Sequence, residues 1–227
     1  MGPLASLRSL AIALDPAGRR IRAELRRIAA TIKPADRVLD LGSGRAPYRN
    51  LFQHHRFVTA DLSVGAQVRC DACCLPFATG VFDLILCTEV LEHLPHPAAA
   101  LRGMAHALAP HGALVLTTPL TWGVHEARDY HRWTEMGLRQ LLEATGFQIA
   151  DLAARGGIFL TLGAMLQMIP WQLFGGARER RVWQTAGYVL TYTLVLIPAL
   201  LLAAVDGLDH RRQFTHGYVV LCHRRDG

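Results

Sequence analysis

The chain has 227 residues, the length of one domain plus an appendage. With 51% hydrophobic residues, 19% charged and a mean hydropathy of +0.21, it is neither disordered nor fibrous. Five cysteines, three of them bunched at Cys70, Cys73 and Cys74, are too few for a disulfide scaffold and indicate a reducing, cytosol-facing location, and the net charge of +6 is spread over arginines from Arg8 to Arg225 with Lys33 the only lysine, so no polyanion-reading patch is expected.

In chain order, Met1-Gly2-Pro3-Leu4-Ala5-Ser6 matches a loose N-myristoylation pattern, in which Pro3 stiffens the segment an acyltransferase must grip. The apolar stretch 10–14 is too short for a secretory signal and ends at Asp15-Pro16. Arg19, Arg20, Arg22, Arg26 and Arg27 interleave with Ile21, Leu25, Ile28 and Ile32 at helical spacing. This predicts a basic amphipathic helix within a segment 1–35, its charged face meeting either solvent or an anionic membrane surface. From Asp36 onward short apolar runs alternate with helical patterns, the signature of a parallel sheet with crossover helices. Strands are predicted at 37–41, 57–60, 67–70, 82–87, 113–118, 147–153 and 217–222. Helices are predicted at 47–54, at 97–109 with proline in the first position, and at 134–145.

Val38-Leu39-Asp40-Leu41-Gly42-Ser43-Gly44-Arg45-Ala46 runs a strand straight into a glycine turn, where the backbone can approach a nucleotide-like ligand closely. A dinucleotide fingerprint wants a third glycine at the position of Pro47, and proline there argues against NAD.

With its ordered motifs the stretch from Ile32 to Leu152 resembles the class I S-adenosylmethionine-dependent methyltransferases, in particular the type 11 branch. Asp40-Leu41-Gly42-Ser43-Gly44 matches that family's first motif, with Ala46 in place of its usual third glycine. The resemblance implies a Rossmann-like, doubly wound sheet of seven mostly parallel strands over 36–155, completed by 213–227. It also implies S-adenosylmethionine as cofactor. Asp40 would orient the methionine ammonium, the backbone at Gly42 and Gly44 would pass beneath the cofactor, and Asp61 would hold the ribose diol. Asp71 and Ala72 would edge the adenine, and Glu89 would close the site after the fourth strand.

Two segments bear on the methyl acceptor. Nucleobase-amine methyltransferases commonly carry an Asn/Asp-Pro-Pro-aromatic turn after the fourth strand, whereas this chain has Thr88-Glu89-Val90-Leu91, which favours a hydroxyl, carboxyl or carbon acceptor over nucleic acid. A hydroxyl acceptor needs a base. After the fifth strand, residues 119–134 are dense in titratable and aromatic groups, and His125 is the base candidate, with Asp129 or Glu126 to orient it and Tyr130 beside it. The competing reading is a loop clamp, Asp129 paired with Arg132 and Tyr130 packed over the cofactor.

Glu89-Val90-Leu91-Glu92-His93 also resembles the Glu-x-x-Glu-His element of quinone-pathway O-methyltransferases, for which a divalent metal has been proposed. On a helical turn the three would share a face; the alternative, taken here, is that Glu92 and His93 hold the helix entry by hydrogen bonds and no metal is bound. Cys70-Asp71-Ala72-Cys73 lacks a second pair at zinc spacing.

The segment 156–212 sets the chain apart. Residues 156–177 and 182–205 carry no charge, and each as helix is about 33 Å or longer against a hydrocarbon core of about 30 Å. The final strand requires the chain to return, so crossings must be even in number. Arg178-Glu179-Arg180-Arg181 between the two stretches, and Pro170 and Pro198 within them, favour a shallow interfacial hairpin over two spans. A soluble cap or dimer surface is the third disposition. Together these features predict a methyltransferase on the cytoplasmic side of a membrane, probing a lipid-borne or amphiphilic acceptor, with a homodimer admissible. An NAD-dependent oxidoreductase and a non-catalytic, cofactor-binding membrane assembly protein are the alternatives.

Overall fold

A computed structural model describes residues 16–31, 36–174 and 182–225; the acylation pattern, the stretch 10–14 and the basic segment Arg178 to Arg181 lie outside the described residues. By compactness the chain divides into two units, one formed by 21–153 with 217–227 and the other by 1–20 with 154–216.

The first unit is built on a seven-stranded sheet. Its strands are β1 (Arg37–Leu41), β2 (Arg56–Asp61), β3 (Val68–Arg69), β4 (Phe82–Thr88), β5 (Leu108–Pro119), β6 (Phe147–Ala154) and β7 (Gly217–Arg224), in the order β3-β2-β1-β4-β5-β7-β6. Strands β1 to β5 pair in parallel, and β7 runs antiparallel to β5. This is the mixed, doubly wound sheet expected. The strand order reverses beside β1 and β4, which places the ligand-binding crevice at their carboxyl ends.

Successive residues of the central strands point to opposite faces, so each strand feeds two cores. Leu39, Leu41, Ile85 and Cys87 join Leu101, Met104, Leu138 and Leu142 on one face, supplied by α2 (Pro97–Ala107) and α3 (Glu135–Ala144). Val38, Leu84 and Leu86 join Ile21, Leu25 and Ile28 on the other. The last three lie on α1 (Pro16–Ala29), whose apolar stripe is buried while Arg26 and Arg27 stay exposed. Pro97 opens α2, and the Thr134 hydroxyl caps α3 by accepting from the Gly137 amide at 3.2 Å.

The predicted helix at 47–54 is corrected to a single 3-10 turn, Arg49–Leu51. Ala46 at φ +50° breaks helical geometry on entry, and Phe52 is drawn into the second core before the chain rejoins the sheet at Arg56. Strand β5 starts earlier than predicted, at Leu108, and turns through His111 at φ +62°.

The second unit holds α4 (Ile158–Phe174) and α5 (Val182–Val205), which pack against each other. Gly163 lies against the Ala199 backbone and Gly187 against the Phe174 ring, so the helices run antiparallel as a hairpin. Asp206, fully buried, accepts from the Gly157 and Leu160 amides at 3.0 and 2.8 Å, and Asp209 accepts from Ile158 at 2.8 Å. Both carboxylates thereby cap the start of α4 with residues that follow α5.

Candidate functional site

The glycine turn follows β1 directly. Gly42 and Gly44 have φ of +69° and +50°, and the Gly42 amide donates to the Ala60 carbonyl at 2.8 Å, locking the turn to β2. A Cβ on Gly42 would sit 2.3 Å from Val90 Cγ2, whereas one on Gly44 would meet nothing within 4 Å. The first glycine is required by packing. The second faces open space of the kind a ligand fills.

Two carboxylates flank the turn. Asp40 is 1% exposed, and its Oδ2 makes no hydrogen bond within the protein. Burial, with a smaller contribution from Asp61, pushes its carboxyl up to about 7. A buried carboxylate in that state is matched by a cationic ligand group, as the methionine ammonium of S-adenosylmethionine is. Asp61 accepts from the Gly44 amide at 2.9 Å and from Ser63 at 2.7 Å. Desolvation raises its carboxyl, but the backbone bonds from Ser63, Gly44 and Leu62 outweigh it and hold it below the usual carboxylate range. The carboxylate is only partly buried at the end of β2, an ionised acceptor beside the glycine turn. Asp71 accepts from the Cys73 amide at 2.8 Å in a tight turn, and Ala72 is buried beside it. The Cys70 and Cys73 thiols are pushed up, first by burial and then by Asp71, which keeps them as thiols.

Glu89 follows β4 directly at φ +53°, where its carboxylate accepts from the Thr117 hydroxyl at 2.8 Å and its amide donates to the Thr117 carbonyl at 3.1 Å. The structure therefore ties Glu89 to β5. The shared face that a helical turn would give Glu89, Glu92 and His93 is not formed, because Leu91–His93 is one 3-10 turn that begins beyond the left-handed Glu89.

The loop after β5 is fastened over that turn. The Glu92 carbonyl accepts from the amides of Tyr130 and His131 at 2.8 and 3.3 Å, and the Arg128 carbonyl accepts from His93 Nδ1 at 2.5 Å. His125 lies with its ring centroid 4.9 Å from that of His93, its Nδ1 3.1 Å from Asp129 Oδ2 and 3.2 Å from the Gly123 carbonyl. Asp129 also binds Arg132 through both carboxylate oxygens, and Arg132 donates to the Trp122 and Gly123 carbonyls. The hydrogen bond from Arg132, opposed by desolvation, holds the Asp129 carboxyl far below its ordinary value. Asp129, in preference to Glu126, is the residue brought onto His125. One carboxylate thus serves both the clamp and the orientation of the imidazole. Tyr130 is 53% exposed at the rim.

The approach of His93 to His125 had no signal in the sequence beyond their positions after the adjacent parallel strands β4 and β5. With the buried Glu92 they present ligand atoms within 4.8 Å of one another, the only donor set of that kind found among the described residues.

Sheet order, glycine turn and acidic ribose position define a class I methyltransferase architecture. A methyltransferase domain family model matches residues 14–152, more than half of the chain, and the chain belongs to that family of S-adenosylmethionine-dependent methyltransferases. It is 36% identical over 102 residues to a demethylmenaquinone methyltransferase of Mycolicibacterium vanbaalenii, covering 40% of this chain and 45% of the relative. It is 50% identical over 40 residues to a ubiquinone biosynthesis O-methyltransferase of Xanthomonas oryzae, covering 18% of this chain and 17% of the relative. The chain therefore spans less than half the length of either relative. Haemonchus contortus phosphoethanolamine N-methyltransferase 2, solved with S-adenosyl-L-methionine, shares the fold at a TM-score of 0.58 and 16% identity, over 92% of this chain and 53% of that one. Family membership sets aside the oxidoreductase alternative.

Proposed function

We propose that this protein transfers a methyl group from S-adenosylmethionine to an oxygen of a lipid-borne or amphiphilic acceptor, a lipid-linked glycan or an isoprenoid, at the cytoplasmic surface of a membrane. The observation that carries the reading is the pairing, along one sheet edge, of a buried Asp40 carboxylate whose Oδ2 has no hydrogen bond within the protein with an imidazole held by a carboxylate at His125. The cofactor supplies an electrophilic methyl group bound to a sulfonium. Asp40 would hold its ammonium, the backbone at Gly42 and Gly44 would pass beneath it, Asp61 would take the ribose and Asp71 with Ala72 would edge the adenine, while Glu89 braces the turn through Thr117.

On the acceptor side, Asp129 and the Gly123 carbonyl hold His125 Nδ1 as a donor, which leaves Nε2 with the lone pair. The acceptor hydroxyl gives its proton to that nitrogen as the oxygen takes the methyl group. Asp129, already paired with Arg132, stays ionised throughout and stabilises the imidazolium. Tyr130 and Val124, both exposed at the rim, suit an apolar portion of the acceptor. The quinone-pathway names among the relatives favour a small molecule over nucleic acid. The lipid portion of the reading is supported by the apolar hairpin, whose second helix is long and apolar enough to cross a membrane.

The test combines calorimetry with S-adenosylhomocysteine and incubation with methyl-labelled cofactor and a total lipid and glycan extract. Binding together with label in an extractable lipid fraction is expected. Binding with no transferred label in any fraction would leave the non-catalytic assembly protein as the better reading.

A further inference from the structure

We infer that the α4/α5 hairpin is inserted lengthwise into the lipid bilayer, with its aromatic tip at the far headgroup layer, and does not lie flat in the near interface. The inference rests on the membrane-surface reading for its partner and is independent of methyl transfer.

The hairpin has its polarity inverted. The buried positions of the two helices include small and polar residues: Gly163 lies against the Ala199 backbone, Thr161 is fully buried with its hydroxyl on the Gly157 and Phe214 carbonyls, Ala164 is buried, and the Gln167 amide nitrogen and Tyr192 hydroxyl are shielded from solvent. The outward faces are dominated by large apolar side chains and carry no charge. On α5 and its extension, Leu190, Leu194, Ile197, Leu201, Val205 and Leu208 recur at helical spacing with exposures of 42% to 69%; on α4, Ile158, Leu162, Met165, Ile169 and Leu173 recur likewise with exposures of 38% to 64%. An in-plane amphipathic helix keeps a charged face toward water. Neither helix contains a charged residue, so neither has such a face. The exposed Thr193 hydroxyl is turned onto its own helix, bonded to the Val189 and Leu190 carbonyls.

Small residues at the helix contact with Leu and Ile outside is the arrangement a hydrocarbon solvent selects. Gly163 shows the constraint: a Cβ there would stand 2.9 Å from the Ala199 carbonyl oxygen. Length agrees. The 24 residues of α5 span about 36 Å and the 17 of α4 about 26 Å, against a hydrocarbon core of about 30 Å. Because the Phe174 ring packs on Gly187, the end of α4 and the start of α5 share one end of the hairpin, so if α5 crosses, α4 crosses with it.

That same end carries Trp171 and Trp183, 53% and 60% exposed, at opposite sides of the turn; tryptophans gather at headgroup level. The other end is tied by Asp206 and Asp209 and is followed by Arg211 and Arg212, and the chain continues from it into β6 on one side and β7 on the other. Arg139, Arg155, Arg211, Arg212, Arg224 and Arg225 flank the hairpin in sequence on the side of the sheet. They outnumber Arg178, Arg180 and Arg181, which fall between the two helices in sequence. The arginine bias thus keeps the sheet on the cytosolic side.

The experiment has two parts. Native full-length protein in bacterial membranes is washed with alkaline carbonate, and retention in the pellet is expected. In a background with Cys70, Cys73, Cys74, Cys87 and Cys222 replaced by alanine, Leu208→Cys and Gln172→Cys are then probed with a membrane-impermeant maleimide. Leu208→Cys is expected to label in inside-out vesicles and Gln172→Cys in intact spheroplasts. Labelling of Gln172→Cys in inside-out vesicles overturns the inference in favour of a flat hairpin. Release by carbonate, or recovery of a detergent-free dimer, overturns it in favour of peripheral attachment or a second copy covering the apolar face. Should the cysteine-free background not fold, Leu208→Cys and Gln172→Cys are introduced singly into the native chain and their labelling is read against that of the parent chain. Loss of S-adenosylhomocysteine binding by the native chain would refute the methyltransferase reading while leaving the insertion result intact.

Discussion

The sheet and the hairpin are built from similar residues by opposite rules. In the sheet, Leu39, Leu84, Ile85 and Leu86 are fully buried, and the polar groups Asp61, Asp71 and His125 gather at the carboxyl edge. In the hairpin, Thr161 is buried and Leu190, Leu194 and Ile197 are exposed. Apolar area left in water costs about 25 cal/mol per Å², so a hairpin of this kind is not stable as an isolated surface in water and needs a nonaqueous neighbour. Burial alone does not report which residues stabilise a region; the surrounding solvent decides the sign.

Substitutions of like size should therefore act oppositely in the two regions. The largest effect is expected from Gly42→Val, because left-handed geometry strains a branched side chain there and its Cβ alone would stand 2.3 Å from Val90 Cγ2, forcing a shift. Loss of S-adenosylhomocysteine binding, with a lowered melting temperature, is the expected result; normal affinity would show that the turn does not form the cofactor cradle. Next comes His125→Ala, which removes the proton acceptor without touching Asp40 or Asp61. Turnover should fall by about 100-fold or more with cofactor affinity unchanged. An equal loss of both would assign the loop to clamping through Asp129 and Arg132.

Leu194→Arg sharpens the contrast directly. On a water-exposed surface such a change is within about 0.5 kcal/mol of neutral. At the centre of a membrane-inserted helix it costs about 3 kcal/mol. Reduced membrane retention, read by fractionation, is expected, while unaltered retention would place Leu194 in water.

Much of the sheet and of the cofactor edge was legible because each rests on local pattern. Alternating apolar runs gave the strands, Pro97 and Thr134 gave helix starts, and Asp40, Gly42, Gly44 and Asp61 pointed to the turn that the structure forms between β1 and β2. What escaped depended on contacts distant in sequence or on a single dihedral. Nothing local says that Ala46 turns left-handed and cuts short the predicted helix, that Glu89 swings to Thr117, or that His93 meets His125 across 32 positions. The hairpin falls between these cases. Its two apolar stretches were evident, but their inverted polarity shows only when the helices pair, and that pairing is what tips a shallow disposition toward lengthwise insertion.

Asp40 provides a prediction of pH dependence. Burial raises its carboxyl to about 7, so the free protein holds it protonated in mild acid, where it cannot counter an ammonium. Ionisation of Asp40 and binding of the cofactor then favour each other. Affinity for S-adenosylhomocysteine should climb about tenfold per pH unit below 7 and level off above it. The sign for the free protein is the reverse: with the folded value above the unfolded one, the stability contributed by protonated Asp40 is complete below about 4 and lost as pH rises through 7. Asp40→Asn should flatten both profiles, and a steep affinity profile in that variant would move the titrating group elsewhere.

The smallest effect is expected from chelation. Glu92, His93 and His125 present three donor atoms within 4.8 Å, a set that a divalent ion could take. His125 has one lone pair to give, at Nε2, and the proposed reaction uses it for the acceptor proton; a bound ion would occupy the same nitrogen. The two uses exclude each other in one turnover. Methyl transfer by chelator-treated protein should consequently proceed at the untreated rate. A rate that collapses with chelator and returns with zinc would convert His125 from base to ligand. In that event His93→Ala, which leaves the base intact, should abolish activity as fully as His125→Ala does. Without an ion His93→Ala should act only through the bond that its Nδ1 makes to the Arg128 carbonyl, loosening the loop and weakening acceptor binding more than turnover.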